Sequence, residues 1–190
     1  ALKLSHVDLP IDPYVFGAWL GDGTTGSGHM CAGAADAPWM MEQFALRGYT
    51  ADAVKIGSSG VVLWKSNRLH EELKAVGLSS ESKSTKKAVP AVFLRSSYGQ
   101  RLDFIRGLMD TDGGVSRDGK SAEAGFINFD IASALEESLR SIGYITRMKV
   151  KQLKKTTLRD ERPFFRVQIR PSTRQNPFCM PRKASLVSET

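Results

Sequence analysis

The stretch I-R-G-L-M-D-T-D-G occupies Ile105–Gly113, and a related stretch, V-F-G-A-W-L-G-D-G, occupies Val15–Gly23. Both fit the pattern G-x-x-x-x-D-G, and their aspartates, Asp22 and Asp112, stand 90 positions apart. A single short motif of this kind arises easily by chance, but two copies at corresponding places indicate an internal repeat. The repeat predicts a molecule built from two similar halves.

The similarity between the two copies continues beyond the motif. In each copy a predicted strand is followed by an aspartate suited to cap a helix, and then by a helical stretch that ends in Gly-Tyr. These features are Asp36 and Asp130, with Gly48-Tyr49 and Gly143-Tyr144. The corresponding residues of these features lie slightly more than 90 positions apart, a difference that small loop insertions explain. We therefore expect a single domain with pseudo-symmetric halves at about residues 9–99 and 100–188.

The spacing of apolar residues predicts both helices and strands in each half. Helical spacing is found at Pro13–Gly21, Leu102–Asp110 and Ser66–Val76, and a further helix is expected between Asp36 and Gly48. Ala53–Gly57 and Val61–Ser66 are predicted to form a hairpin, Phe164–Arg170 a strand, and Lys154–Arg162 a loop. The order helix, strands, helix, strands, helix in each half is typical of an α+β fold with antiparallel sheets.

Each motif combines a glycine inside a helix with an aspartate at the end of that helix. Gly17 and Gly107 carry no side chain, so two helix backbones can approach each other closely there. Asp22 and Asp112 would then arrive at one place, beside the negative ends of both helix dipoles. Because hard cations prefer oxygen ligands, this arrangement predicts a Mg²⁺ site on the axis between the halves.

The charge of the chain is positive and unevenly distributed. Lys and Arg number 27 against 20 Asp and Glu, for a net charge of +7 and a pI near 9.5. Between Arg147 and Lys183 there are twelve basic residues and two acidic ones. A one-sided basic surface of this kind favours a polyanion such as duplex DNA as the partner.

The residues that read this DNA are expected on strand faces, since a two-stranded ribbon fits a major groove. In the second half the candidates are Arg147, Lys149, Lys151, Arg166, Gln168 and Arg170. In the first half they are fewer, namely Lys55 and Lys65. Many of these side chains are expected to contact phosphates rather than base edges.

Several other classes of protein are disfavoured. No apolar run approaches the roughly 20 residues needed to span a bilayer, and Lys3, His6 and Asp8 interrupt the first stretch, so neither a membrane span nor a signal peptide is expected. Cys31 and Cys179 make no disulfide framework, which favours a reducing compartment, and we expect a cytoplasmic protein. The patterns of zinc sites, EF-hands and Ser-His-Asp hydrolases are not met.

The two motifs and their surroundings resemble those of LAGLIDADG homing endonucleases, in the form associated with inteins (the DOD type). L-G-D-G near residue 20 and F-I-R-G-L-M-D-T-D-G near residue 110 resemble the two family motifs. Lys86–Pro90 resembles the K-x-I-P block that precedes the second motif, and Asn176–Phe178 with Arg182–Ala184 resembles a C-terminal feature of the family. The resemblance spans nearly the whole chain, about Leu9 to Leu186.

The resemblance implies a monomer with pseudo-two-fold symmetry. Its two αββαββα-like halves would carry antiparallel DNA-binding sheets and pack through two central helices. Asp22 and Asp112 match the aspartates that bind Mg²⁺, for which Mn²⁺ can substitute, and Gly21 and Thr111 adjoin them in the metal site. The implied reaction is hydrolysis of two phosphodiesters, one on each strand of a long specific DNA site.

Two lysines match the family's catalytic lysines, which position water or stabilise the transition state. Lys87 follows Asp22 by 65 positions, and Lys183 follows Asp112 by 71. The chain opens with Ala1-Leu2 and ends at Thr190 without the residues that intein splicing needs. We therefore expect an endonuclease domain originally embedded in an intein splicing domain.

Three alternatives remain open at this point. The fold can serve as a DNA-binding module or regulator without cleavage, as an RNA-binding maturase, or as a structural insert within an intein. Retention of Asp22 and Asp112 favours the enzyme over the inactive module. The basic stretch after Arg147 argues against a purely structural insert.

Overall fold

A computed structural model of the chain describes residues 1–57, 60–78, 87–155 and 161–188. The helices are α1 (Pro13–Asp22), α2 (Ala37–Leu46), α3 (Asn67–Ala75), α4 (Ala91–Leu94), α5 (Tyr98–Asp112), α6 (Phe129–Ser141) and α7 (Pro181–Ala184). The strands are β1 (His29–Gly33), β2 (Ala53–Ile56), β3 (Val61–Lys65), β4 (Gly113–Val115), β5 (Ala122–Phe126), β6 (Thr146–Leu153) and β7 (Arg162–Ile169). Within these ranges no helix is long and apolar enough to cross a bilayer.

The two central helices, α1 and α5, begin and end with strong local signals. Asp12 caps α1 by accepting from the amides of Tyr14 and Val15, and Pro13 supplies a preset backbone angle at the first helical position. Ser97 and Gln100 form a capping box at the start of α5. Both helices continue through the aspartate of the motif, one or two residues beyond the predicted limits.

The motif glycines lie where α1 and α5 cross. A Cβ atom placed on Gly17 would lie 2.3 Å from the carbonyl oxygen of Phe104, and one on Gly107 would lie 2.1 Å from that of Tyr14. No side chain fits in this space, so the two backbones are in direct contact. The crossing joins the halves and aligns the C-terminal ends of the two helices.

Each half contributes one antiparallel sheet. The first sheet has the strand order β1-β3-β2 and the second β4-β5-β7-β6, so β1, β3 and β2 correspond to β5, β7 and β6. Where the second half has β4, the first half has a single bridge between Gly23 and Met30. One face of each sheet packs into the core, as the burial of Trp64 in β3 and of Val167 in β7 shows.

The helix-capping prediction is wrong for Asp130, whereas Asp36 stands at the predicted cap position without making a capping bond. Asn128, and not Asp130, caps α6: its Oδ1 accepts from the amide of Asp130, which lies inside the first turn. Asp36 stands at the cap position of α2 but makes no capping bond, because both its oxygens accept from Arg182. A helix start read from the sequence cannot reveal a competing partner 146 positions away.

The strand predictions need smaller corrections. The hairpin of β2 and β3 is confirmed, although Ser58 and Ser59 in its loop lie outside the described residues. Of the predicted loop Lys154–Arg162, residues 156–160 lie outside the described residues, and Arg162 belongs to β7, where it pairs with Leu153. Arg170 lies one residue beyond the end of β7.

Candidate functional site

The aspartates of the two motifs meet at the ends of α1 and α5. A Cβ atom on Gly21 would lie 3.0 Å from Oδ2 of Asp112 and 2.1 Å from Oγ1 of Thr111, so the last turns of the helices touch. Asp22 is half-buried and Asp112 is exposed. Among the described residues neither carboxylate has a hydrogen-bond partner on its side chain. The structure therefore brings together the two carboxylates that the sequence paired.

The carboxylates repel each other in the absence of a counter-charge. Neighbouring protein atoms that displace water, and then the charge of Asp22, raise the pKa of Asp112 to about 6. Burial also raises the pKa of Asp22, and the positive charges of Lys183 and Lys87 oppose this rise. Two anionic groups with unused oxygens fit a hard divalent cation, which favours carboxylate ligands.

The other two predicted metal residues, Gly21 and Thr111, add no further carboxylate to the pair. The hydroxyl of Thr111 donates back to the carbonyls of Gly107 and Leu108, at 3.1 and 3.0 Å. The carbonyl of Thr111 already accepts from the amine of Lys183 at 3.1 Å. Within the described ranges, no cluster of three or more His, Cys, Asp or Glu side chains exists that could hold a metal. Asp22 and Asp112 are thus the side chains available to a cation here.

Lys87 and Lys183 lie beside the aspartates but are directed at backbone carbonyls. The Nζ atom of Lys87 donates to the carbonyls of Trp19, Leu20 and Gly23, at 2.7, 2.9 and 2.6 Å. The Nζ atom of Lys183 contacts three carbonyls of the last turn of α5 and that of the following residue, Gly113. These belong to Met109, Asp110, Thr111 and Gly113, at 3.2, 2.6, 3.1 and 2.7 Å.

The two lysines make equivalent contacts in the two halves, since three of the carbonyls that Lys183 contacts lie 90 positions after the three that Lys87 contacts. The last carbonyls of a helix lack intrahelical partners and carry the negative end of the dipole, so a buried amine stabilises them. Burial lowers the pKa of Lys87 to about 8, and the nearby aspartates oppose this change. Both lysines therefore hold the helix ends that carry the carboxylates, and their direct role in catalysis stays a prediction.

Asp110 is a site residue that sequence reasoning missed. It is buried, and it accepts from the hydroxyl of Tyr14 at 3.0 Å and from the amides of Cys179 and Met180 at 3.1 and 3.0 Å. Burial raises the pKa of Asp110 to about 6, and these donors oppose the change. The motif aligns Asp112 with Asp22, but nothing in the sequence indicates that Asp110 faces the interior and accepts from Tyr14 and the segment around Cys179.

The solvent-facing side of the second sheet carries the predicted DNA-binding residues together. Arg147 pairs with Gln168, and Lys149 with Arg166, so these side chains share one face. Glu123 of β5 lies in the same row as Gln168, from which its carboxylate accepts at 2.7 Å. Glu123 also forms an ion pair with Arg166 at 3.4 Å. This acidic residue among the basic ones was not predicted from the sequence.

The first sheet has a sparser charged face. Lys55 pairs with Leu63, and Lys65 lies two positions further along β3, so both lysines project to the same side. A cleft of about 400 Å³ between the halves extends from Asp112 to the face of the second sheet, since Lys87, Asp112 and Phe164 are among its lining residues.

Comparisons with known proteins agree with this architecture. No family model matches the chain. It is 29% identical over 184 residues to the replicative DNA helicase DnaB of Mycobacterium intracellulare, a match that covers 97% of this chain but 27% of the helicase. The chain thus spans about a quarter of that relative's length.

Solved structures provide the second comparison. The homing endonuclease I-DmoI in complex with DNA and Ca superposes with a TM-score of 0.58 at 13% identity, covering 93% of this chain and 95% of that one. Full-length WhiA from Thermatoga maritima superposes with a TM-score of 0.51 at 9% identity, covering 94% and 60%. The chain has the LAGLIDADG fold, with two antiparallel sheets joined through the two motif helices.

A phosphate-loop pattern also occurs in the sequence, which matters because the relative is a helicase. Gly114–Ser121 reads G-V-S-R-D-G-K-S, a match to G-x-x-x-x-G-K-[ST]. In the structure this stretch comprises the end of β4 and the turn that leads to β5, and the amides of Lys120 and Ser121 donate to side chains within the turn. A strand follows it instead of a helix, so the helix N-terminus that binds phosphate in such loops is missing here.

Proposed function

We propose that this chain is a site-specific endonuclease that cuts both strands of duplex DNA and depends on Mg²⁺. The observation that carries the proposal is the meeting of two unpartnered carboxylates, Asp22 and Asp112, at the touching ends of α1 and α5. The two sheets flank this point, and each carries basic residues on its solvent face. Similar solved structures of the homing endonuclease I-DmoI are complexes with DNA and Mn or Ca, which supports a divalent cation and a DNA substrate.

Each part of the site has a task in this reaction. Asp22 and Asp112 would hold a divalent cation, which would polarise the scissile phosphate and activate water for the attack. The pseudo-two-fold arrangement would give each strand one carboxylate. Lys87 and Lys183 keep the helix ends in place. The basic sheet faces bind the duplex on both sides of the cleavage point, in a monomer.

The helicase match suggests an origin for the chain. It covers almost all of this chain and only a quarter of the helicase, and the phosphate-loop pattern here forms a hairpin turn. We infer that the match lies on an intervening segment of the helicase polypeptide, that is, on an intein. The DNA target would then be the junction in the helicase gene at which such an intein is absent.

Cleavage of a plasmid that carries this intein-free junction tests the proposal. We expect Mg²⁺-dependent linearisation at one site by the wild type, and none by Asp22→Asn or Asp112→Asn. Asp8→Asn is the matched control, because it makes the same change at an exposed position before α1. Failure of the wild type to cut, with Mg²⁺ or Mn²⁺ present, would contradict the enzymatic function.

A DNA-binding module without cleavage is the second candidate. The structural similarity to WhiA favours it, as does the engagement of both lysine amines with backbone carbonyls. A gel shift on the same junction distinguishes the two candidates. Tight binding without cleavage supports the module, and binding with Mg²⁺-dependent cleavage supports the enzyme.

A further inference from the structure

The segment that carries Lys87 is held by the opposite half of the molecule. Lys87 caps α1 of the first half, but its own backbone carbonyl accepts from Nδ2 of Asn128 at 2.7 Å. Asn128 is the N-cap of α6 in the second half, where its Oδ1 accepts from the amide of Asp130 at 2.9 Å. One side chain therefore both caps its own helix and anchors the other half's lysine segment.

The reciprocal contact exists on the other side. Lys183 caps α5 of the second half, and the neighbouring Arg182 forms a two-bond ion pair with Asp36. Asp36 stands at the start of α2 in the first half, at the place that corresponds to the start of α6. Because α2 and α6 are equivalent helices of the repeat, the start of each holds the lysine segment of the opposite half.

The charges follow the same crossed arrangement. Burial lowers the pKa of Lys87, and the charge of Asp112 opposes this more strongly than that of Asp22. Burial raises the pKa of Asp22, and Lys183 opposes this more strongly than Lys87. Each lysine thus caps the helix of its own half, and of the two motif aspartates it acts more strongly on the one in the other half, although Asp110 is the carboxylate that acts most strongly on Lys183.

We propose that Asn128 and Asp36 are positioning residues for DNA cleavage, each holding the lysine segment of the opposite half against the aspartate pair. The proposal rests on the proposed endonuclease function. Since the pseudo-two-fold arrangement gives each strand one aspartate, releasing one contact disturbs one strand's chemistry more than the other's. Loss of both contacts disturbs both strands.

Asn128→Asp separates positioning from helix capping. The aspartate keeps the oxygen that caps α6 but cannot donate to the carbonyl of Lys87. We expect one strand to be cut roughly tenfold to a hundredfold more slowly, as small misplacements in active sites produce. Nicked circles should accumulate while affinity for the DNA stays unchanged. Asp130→Asn, the opposite change at an exposed position two residues away, is the control and should cut like the wild type.

The ion pair allows a rescue experiment. Asp36→Arg and Arg182→Asp should each slow one strand, and the double variant that exchanges the two charges should recover most of the lost rate. A merely structural role predicts equal slowing of both strands, in proportion to a lower melting temperature. That result would overturn the proposal, as would wild-type cleavage by the single variants.

A second readout does not depend on cleavage. Reductive methylation followed by mass spectrometry measures the accessibility of each lysine amine. We expect Asn128→Asp to accelerate labelling of Lys87 several-fold and leave Lys183 unchanged, and Asp36→Asn to do the reverse. Unchanged labelling would show that the proposed contacts do not hold the lysine segments, whether or not the wild type cuts DNA. If the labelling changes as expected but the wild type cuts no DNA, only the role in catalysis is overturned.

Discussion

The glycine contact between the central helices makes a quantitative prediction for Gly107→Ala. The new Cβ would lie 2.1 Å from the carbonyl oxygen of Tyr14 and 2.6 Å from the amide nitrogen of Ala18. A close carbon–oxygen contact measures about 3.3 Å, so α1 and α5 must separate by about 1 Å. The opposing atoms belong to the backbone and cannot move aside by changing rotamer.

The magnitude follows from two opposing contributions. Overpacking in a well-packed interior costs about 3 kcal/mol at the upper end of its usual range. Alanine is favoured over glycine within a helix by about 1 kcal/mol, which leaves a net destabilisation of about 2 kcal/mol. For a chain of this size, that loss lowers the melting temperature by about 4–8 °C.

Gly99→Ala is the matched control for this measurement. Gly99 lies in the same helix, is exposed, and has open space where its Cβ would be. We expect its melting temperature to equal or exceed that of the wild type, by up to about 4 °C. Differential scanning calorimetry of both variants decides the matter. If Gly107→Ala has the same melting temperature as Gly99→Ala, the two helices are not in backbone contact. The predicted metal site would then lack the helix crossing that brings its two aspartates together.

Three further predictions concern the carboxylates. Asp110→Ala leaves a buried hydroxyl and two amides unpaired, so urea unfolding should show a loss of about 3 kcal/mol. Glu123→Gln removes the negative charge that holds Gln168 and Arg166, so the protein should bind random-sequence duplexes more tightly, as measured by fluorescence anisotropy at fixed salt. Unchanged affinity would mean that Glu123 does not weaken DNA binding by this sheet face. Because the folded pKa of Asp112 is raised to about 6 from 3.8, its contribution to metal-free stability is present below pH 3.8 and is lost as the pH rises through about 6. Mg²⁺ should therefore raise the melting temperature more at about pH 7.5 than at about pH 5, and a Mg²⁺ effect that survives Asp112→Asn would contradict this reading.

Features that depend on local spacing could be predicted from the sequence alone. The repeat of G-x-x-x-x-D-G located both central helices and the aspartates at their ends. The alternation of Phe164–Arg170 placed Arg166 and Gln168 on one face of a strand. These inferences succeed because helix and strand periodicity place neighbouring side chains on known faces.

Other features depended on the tertiary structure. The targets of Lys87 and Lys183, the interior position of Asp110 and the partners of Asn128 and Asp36 all involve contacts between residues 41 to 146 positions apart. The pairing of β4 with β5 likewise shows that the G-x-x-x-x-G-K-S stretch belongs to a β-hairpin, which the pattern alone does not indicate. Local sequence patterns determine whether a segment can form a helix, a strand or a turn. The packing of the two halves decides which polar groups lose contact with water, and those groups then need hydrogen-bond partners within the protein.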